Sequence, residues 1–354
     1  MAERRPGSRR AARGRGSHMQ TTGRQARVAI DRRTLMAGAA TLVAAGLGPA
    51  RAQLAPRPLK IMVGFPAGGG LDTMVRIIGD KLREQTGTSA IVENRPGTAG
   101  RLAAEAVARA EPDGTTLLAA PLVVTAFYPF IYKTLPFDPM SDLVPVTRFC
   151  TFQFALAVDP RLKVETVRDF IAWVKANPGK ASFGSLGAGT PSHFLGLMFS
   201  NATGTDLTHV PYRGSAPALQ DLVGGSIQAV FDTTASLMAQ HQAGTVKVLA
   251  VTGTARSPRL PDVPTFGELT LGLGDIEAAD LWYGFFAPGR TPPEQVARLA
   301  AAIRDAVADP TVREKLAGLD VAVVADTPAA FAEIVRADNV RWGRVIRASG
   351  FTLD

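Results

Sequence analysis

Leu59-Lys60-Ile61-Met62-Val63-Gly64-Phe65-Pro66-Ala67-Gly68-Gly69-Gly70-Leu71-Asp72 is the stretch that decides the fold. Its first five residues form a short, mostly apolar run. Glycines and a proline then break the run, and Met74, Val75, Ile77, Ile78 and Leu82 recur at helical spacing. The stretch predicts a strand, a glycine loop and a helix. The same grammar continues outward. Ser89–Glu93 reads as a strand closed by Asn94-Arg95-Pro96-Gly97. Arg101–Arg109 reads as a helix stopped by Glu111-Pro112-Asp113-Gly114, and Thr115–Ala119 as a third strand.

Further on, Phe154–Val158 reads as a strand and Val167–Asn177 as an amphipathic helix. Ser182-Phe183-Gly184 is a strand edge that runs into Ser185-Leu186-Gly187-Ala188-Gly189-Thr190-Pro191-Ser192-His193, ahead of a helix at Phe194–Ala202. Strands follow at Thr208–Pro211, Ile227–Phe231, Val246–Thr252 and Trp282–Ala287, with a helix at Ala216–Val223. Helices at Pro293–Ala308, Thr311–Ala317 and Pro328–Ser349 close the chain. This alternation predicts an α/β fold with mainly parallel sheets and ligand loops at the strand C-termini. Two such sets around a central insertion suggest two lobes, 53–156 with 280–354, and 157–279. Crossing strands near Phe154–Val158 and Asp280–Phe285 would join them.

Three loops carry the chemistry. Gly68-Gly69-Gly70 lies between strand and helix, where backbone N–H groups can approach an anion closely. No Lys-Ser/Thr follows it and the spacing is not G-x-G-x-x-G, so neither a P-loop nor a dinucleotide site is indicated. Asp72 reads either as a helix N-cap or as a ligand contact. The Ser185–His193 loop offers hydroxyls and glycine N–H groups. Residue 183 is Phe, which counts against a nucleophile elbow. In Val210-Pro211-Tyr212-Arg213-Gly214, the fork of Arg213 is a candidate carboxylate partner. Cys150, the single cysteine, sits among Phe149, Thr151 and Phe152 and reads as a buried, inert thiol. No His or Cys pair has metal-ligand spacing.

The net charge of +8 looks like that of a nucleic-acid binder, but residues 1–52 hold 11 of the 39 basic residues and only two of the 31 acidic ones. The rest is nearly neutral, with 28 bases against 29 acids, which removes the electrostatic case for nucleic acid. Asp31-Arg32-Arg33-Thr34-Leu35-Met36, the short apolar run Ala37–Leu47 and Pro49-Ala50-Arg51-Ala52 before Gln53 form a three-part export signal, of twin-arginine type. A periplasmic location is expected.

These residues resemble the Bug family, the TctC-like periplasmic substrate-binding proteins of tripartite tricarboxylate transporters. The resemblance rests on the 65–72 loop, Val92–Gly97, Ala110–Gly114, Gly184–Thr190, Val210–Gly214, Leu249–Thr252, Pro261–Thr265 and the Ala287-Pro288-Gly289 turn, in that order. It implies a two-lobed periplasmic binding protein of type II-like form, with a ligand cleft between the lobes. It also implies capture of a small organic carboxylate for membrane transporter subunits, without catalytic activity or cofactor; the missing ligand clusters and the near-neutral charge after residue 52 lead us to expect a monomer without metal. The expected ligand residues are Phe65, Ala67, Gly68, Gly69 and Asp72, then Ser185, Gly187, Gly189, Thr190 and His193, then Tyr212, Arg213 and Asp232.

One stretch departs from the family pattern. Where the family shows Gly and Ser/Thr facing the cleft, this chain has Ala120-Pro121-Leu122-Val123-Val124. An apolar wall there would favour an aromatic or branched monocarboxylate over citrate or malate. Two other classes stay open. A sensor would dock the same closed complex on a sensor kinase. A secreted hydrolase would use Ser185 or Ser192 with His193, although no paired acid stands at recognisable spacing.

Overall fold

The computed structural model describes residues 57–97, 100–277 and 279–353. The expected export signal and its cleavage site lie outside these residues. The strands are β1 (Leu59–Val63), β2 (Ala90–Asn94), β3 (Thr116–Pro121), β4 (Leu143–Phe152), β5 (Phe154–Val158), β6 (Ser182–Ser185), β7 (Thr208–Pro211), β8 (Ala229–Thr233), β9 (Lys247–Val251), β10 (Leu281–Pro288) and β11 (Ala322–Val323). The helices are α1 (Gly70–Thr86), α2 (Arg101–Ala108), the single turns α3 (Val123–Ala126) and α4 (Tyr128–Ile131), then α5 (Val167–Ala176), α6 (Pro191–Thr203), α7 (Ser215–Gly224), α8 (Thr234–Gln242), α9 (Pro293–Ala308), α10 (Pro310–Ala317) and α11 (Pro328–Ser349).

Two sheets result, ordered β11-β4-β10-β3-β1-β2 and β7-β6-β8-β5-β9. β1, β2 and β3 are parallel, as are β6, β7 and β8. β1 and β3 are almost wholly buried, which fits strands covered on both faces. The sheets are less parallel than the sequence suggests. β10 runs antiparallel to β3 and β4, and β5 runs antiparallel to β8 and β9. These are the strands that carry the chain across. Only Gln153 separates β4 in the first sheet from β5 in the second, and the return runs through 252–280. The two passages are tied together. Gln153 Nε2 donates to the Thr252 and Ala255 carbonyls at 2.6 Å each, and the Phe154 N–H donates to Thr252 Oγ1 at 3.0 Å.

The apolar core is asymmetric. One continuous cluster joins the α2, α3, α4 and α11 side of the first sheet to the α5 and α6 side of the second. An aromatic chain marks the junction, with Phe127 edge-on to Phe194 at 5.3 Å and Phe194 edge-on to Phe351 at 5.8 Å. On the opposite faces the clusters are separate. One lies under α1, α9 and α10, the other under α7 and α8. The two sheets are thus packed together on one side and parted on the other.

Candidate ligand cleft

Because β1, β2 and β3 are parallel, the loops at 64–69 and 95–100 and the start of α3 leave one edge of the first sheet. By the same argument 186–190, 212–214 and the start of α8 leave one edge of the second. β4 ends and β5 begins at these edges, so the edges face each other. Helices starting there have bare N-termini. α1, α2, α6 and α7 begin after Gly69, Gly100, Thr190 and Gly214 with no side-chain cap, and only α8 is capped, by Thr233. Of the longer helices that start elsewhere, α5, α10 and α11 are capped by Thr166, Asp309 and Thr327, and α9 begins after Pro292 without a side-chain cap. Uncapped first-turn N–H groups and the positive helix end make an anion site.

The first loop is held from beneath. Asp72 is 2% exposed and is not the N-cap of α1. Its Oδ2 accepts from the Gly68 N–H at 2.8 Å and from Arg76 Nε at 2.9 Å, and its Oδ1 accepts from Asn94 Nδ2 at 2.8 Å. Burial opposes its charge, but the bonds from Arg76, Gly68 and Asn94 outweigh it and hold the carboxyl below the usual range. Asp72 is therefore not the helix cap that the sequence allows; its oxygens are turned inward and clamp the loop. Gly68 takes a positive φ of 82°, and Phe65, Ala67 and Gly69 stay at least partly open.

The second loop is engaged internally. Ser185 is fully buried, with Oγ 2.6 Å from His209 Nε2. Thr190 Oγ1 donates to the Gly187 carbonyl at 2.6 Å, and Ser192 Oγ accepts from the Leu186 N–H at 2.9 Å. The Gly187 N–H reaches Ser185 Oγ at 3.3 Å, and the Gly189 N–H donates to His193 Nδ1 at 3.2 Å. His193 stacks on His209 with centroids 3.9 Å apart. Burial and then His209 lower the His193 pKa to about 4, and burial lowers that of His209. Phe351 lies over this loop, edge-on to His193 at 5.2 Å. The hydroxyls and ring expected to meet ligand therefore hold the loop in shape. Ser185 pairs with His209, not His193, and carries no surface from which to act as a nucleophile here.

In the third loop the Tyr212 hydroxyl donates to Asp221 Oδ2 at 2.6 Å, and burial with the Asp221 carboxylate pushes its pKa up to about 12. Arg213 is exposed and makes no ion pair among the described residues. Asp232, fully buried at the end of β8, accepts from Ser215 Oγ at 3.0 Å and the Thr233 N–H at 2.6 Å. Its Oδ2 has no partner, and burial pushes its carboxyl up. Asp232 thus sets the starts of α7 and α8. The apolar wall also needs correction. Leu122 and Val124 point into the core, at 0% and 1% exposure, and only Val123 is half-open. The basis for preferring an aromatic monocarboxylate falls with it.

A cavity of about 430 Å³ lies beside the crossing, lined by Gln153, Thr234, Arg259, Asp280 and Asp320 among others, and by none of the expected ligand residues. There Thr234 Oγ1 donates to Asp320 Oδ2 at 2.8 Å, linking the two halves. Among the described residues no group of three or more His, Cys, Asp or Glu is placed to hold a metal, and no helix is long and apolar enough to cross a membrane. Sequence reasoning missed the parts played by Asn94, Arg76, His209, Ser215 and Phe351. Only Asn94 carried a signal, as part of a turn.

The family model described as the tripartite tricarboxylate transporter family receptor, TctC, matches residues 74–351. The UPF0065 protein of the tcbD-tcbE intergenic region of Pseudomonas sp. strain P51 is 36% identical over 90% of this chain and 94% of its own length. The periplasmic binding protein BugD is 29% identical, with a TM-score of 0.68, over 84% of this chain and 99% of the other. R. palustris Rpa4515, solved with adipate, is 30% identical, with a TM-score of 0.70, over 84% and 98%. The chain belongs to the TctC receptor family, a family of periplasmic solute-binding proteins with a mixed α/β two-sheet fold.

Proposed function

From that membership we propose that the chain captures a small organic carboxylate in the gap between its two sheets and delivers it to the membrane subunits of a tripartite tricarboxylate-type transporter. The observation that carries this reading is the set of uncapped helix starts on the facing sheet edges, above all α1 behind the Asp72-clamped glycine loop. N–H groups there make charge-assisted hydrogen bonds to a carboxylate, each contributing about 1.5–3 kcal/mol. The adipate in the Rpa4515 structure supports the same ligand class. We take the two lobes to be the two sheets with their helices, parted on the α1, α7 and α8 face and hinged at Gln153 and 252–280. Export by a twin-arginine signal belongs to the same proposal.

A thermal-shift panel of organic acids, followed by isothermal titration, tests it. A true ligand at 100-fold excess over its Kd adds about 2.7 kcal/mol of stability. Gly68→Val should weaken binding at least about tenfold, because a Cβ there has open space but a β-branched residue is strained at the φ of 82°, so the loop shifts to relieve it. A folded chain that no carboxylate stabilises, or a Gly68→Val variant of unchanged affinity, counts against the reading.

A further inference from the structure

We propose that the C-terminal tail, residues 350–353, is a strap that fastens the second ligand loop to the first half of the molecule (the first sheet with its helices), and that Phe351 positions this loop for its ligand. The proposal rests on the cleft reading above and goes beyond it, since the tail lies outside all three loops and sets how long a ligand stays.

α11 ends at Gly350, whose φ of 67° lets the chain turn out of the helix while its N–H still bonds to the Arg347 carbonyl. Ser349 fixes the direction of the exit. Its Oγ donates to the Ile346 carbonyl at 2.6 Å and accepts from the Phe351 N–H at 3.2 Å. Further on, the Leu353 N–H donates to the Ile131 carbonyl at 2.8 Å. Ile131 is the last residue of α4, so both anchors of the tail, α11 and α4, belong to the first half. Between the anchors the Phe351 ring reaches the second half. It stands edge-on to His193 at 5.2 Å and to Phe194 at 5.8 Å, in the first turn of α6. It also bears on the loop backbone itself: a Cβ on Gly189 would lie 2.9 Å from the Phe351 ring and 3.8 Å from Leu353 Cδ1. Gly189 has a φ of 77°, so glycine is required there both for the backbone and for the close approach.

The two glycine loops are therefore held differently. The first is clamped from within its own half, by Asp72 and Asn94. The second has bonds of its own, among them the Gly189 N–H to His193, and in addition a ring from the other half that presses on both of these residues. The contact is shallow. Phe351 is half-buried and Leu353 is 45% exposed, whereas Phe127 and Trp342 on the same side are fully buried. A contact with so little buried surface opens without unfolding the core. With the strap closed, the N–H groups of 187–190 and the start of α6 stay opposite the first loop. With the strap released, the loop follows its own half, and the ligand loses one of its two sets of donors. The strap acts on ligand release more than on capture, and release is the step in which most affinity differences arise.

Hydrogen exchange on the full chain, on Phe351→Ala, on Phe351→Leu and on a chain ending at Gly350 tests the strap without any ligand. Amides of 186–193 should exchange at least about tenfold faster in Phe351→Ala and in the shortened chain, while those of β1 and β3 stay within about twofold. Phe351→Leu should fall between, because its side chain still covers Gly189. Stopped-flow with adipate then reads release: koff should rise at least about fivefold in Phe351→Ala, with kon within about twofold. Unchanged exchange in 186–193 overturns the proposal. So does an equal rise in β1 and β3, which marks the tail as ordinary packing, and so does adipate release at the unaltered rate from a loop that exchanges faster. If Phe351→Ala does not fold, the shortened chain and Phe351→Leu decide by the same measures. If adipate does not bind the unaltered chain, exchange alone decides the strap, and the cleft reading stands or falls on the panel of organic acids.

Discussion

Replacing Asp72 with Asn removes one charge from a side chain that is 2% exposed and accepts three hydrogen bonds. The Asn oxygen can keep the bond from Asn94 Nδ2. Its amide nitrogen then faces the Gly68 N–H and Arg76 Nε, two donors against a donor. Arg76 has 47% side-chain exposure, so its pair is screened and contributes only about 0.5–1 kcal/mol. The Gly68 N–H bond to a charged acceptor contributes about 1.5 kcal/mol more. A loss near 2 kcal/mol should lower Tm by roughly 3 °C, because a fold of roughly 300 residues unfolds with an entropy of about 0.6 kcal/mol/K. Freed from its anchor, the loop should also bind ligand more weakly. The folded Asp72 carboxyl titrates below its unfolded value of 3.8. Its stabilisation is therefore complete above that value and is lost as pH falls through the lower folded pKa. The gap between Asp72→Asn and the unaltered chain should be full at pH 7 and close in acid. Calorimetry across pH, with titration at pH 7, measures both effects. A variant that melts within about 1 °C of the unaltered chain at pH 7 and binds equally well would refute the clamp.

His193 and His209 should make the fold acid-sensitive. Both have lowered folded pKa values, so the stability they supply is full above about pH 6.5 and is lost as pH falls toward about 4, the His193 value; in melts across that window His193→Gln should flatten the slope, and an unchanged slope would remove the pair from the account. Gly196→Ala should destabilise the fold: helix propensity gains about 1 kcal/mol, but the added Cβ overlaps the buried Phe183 ring, and overpacking costs about 1–3 kcal/mol. A raised Tm would show that α6 can move away from β6. Cys150, fully buried and with its thiol pushed up by burial, should resist thiol reagents until the chain unfolds, and fast labelling of native protein would contradict its packing.

The strand-loop-helix units were legible because apolar runs end at Gly and Pro. β1, β5, β7, α9 and α11 have the bounds that the sequence suggests, and most other elements differ by a few residues. β4 was not legible. It carries Pro145 and Arg148, and its pairing with β10 slips between Tyr283 and Gly284 and again between Phe285 and Phe286. Bulges of this kind break the period of two on which a strand reading depends. The direction of β5 and β10 was hidden too, since an apolar run reads the same parallel or antiparallel.

At the site, the glycine loops between strand and helix were legible, and the direction of the hydroxyls was not. Residue type tells that Ser185, Thr190 and Asp72 can hydrogen-bond, but not which way they point, and each is engaged by partners within the fold, some as distant as Asn94 and His209. What the sequence does carry is the N-cap itself. Ser, Thr, Asp or Asn at that position satisfies helix N–H groups, and glycine gives up a few tenths of a kcal/mol by comparison. The chain uses Thr166, Asp309 and Thr327 for helices that start away from the facing edges, and Gly69, Gly100 and Gly214 for three that start on them. α9, which starts away from these edges, also lacks a side-chain cap, but it begins on Pro292 and not on a glycine, so a glycine start repeated three times on the facing edges fits helix ends left uncovered for an anion better than three separate accidents of capping.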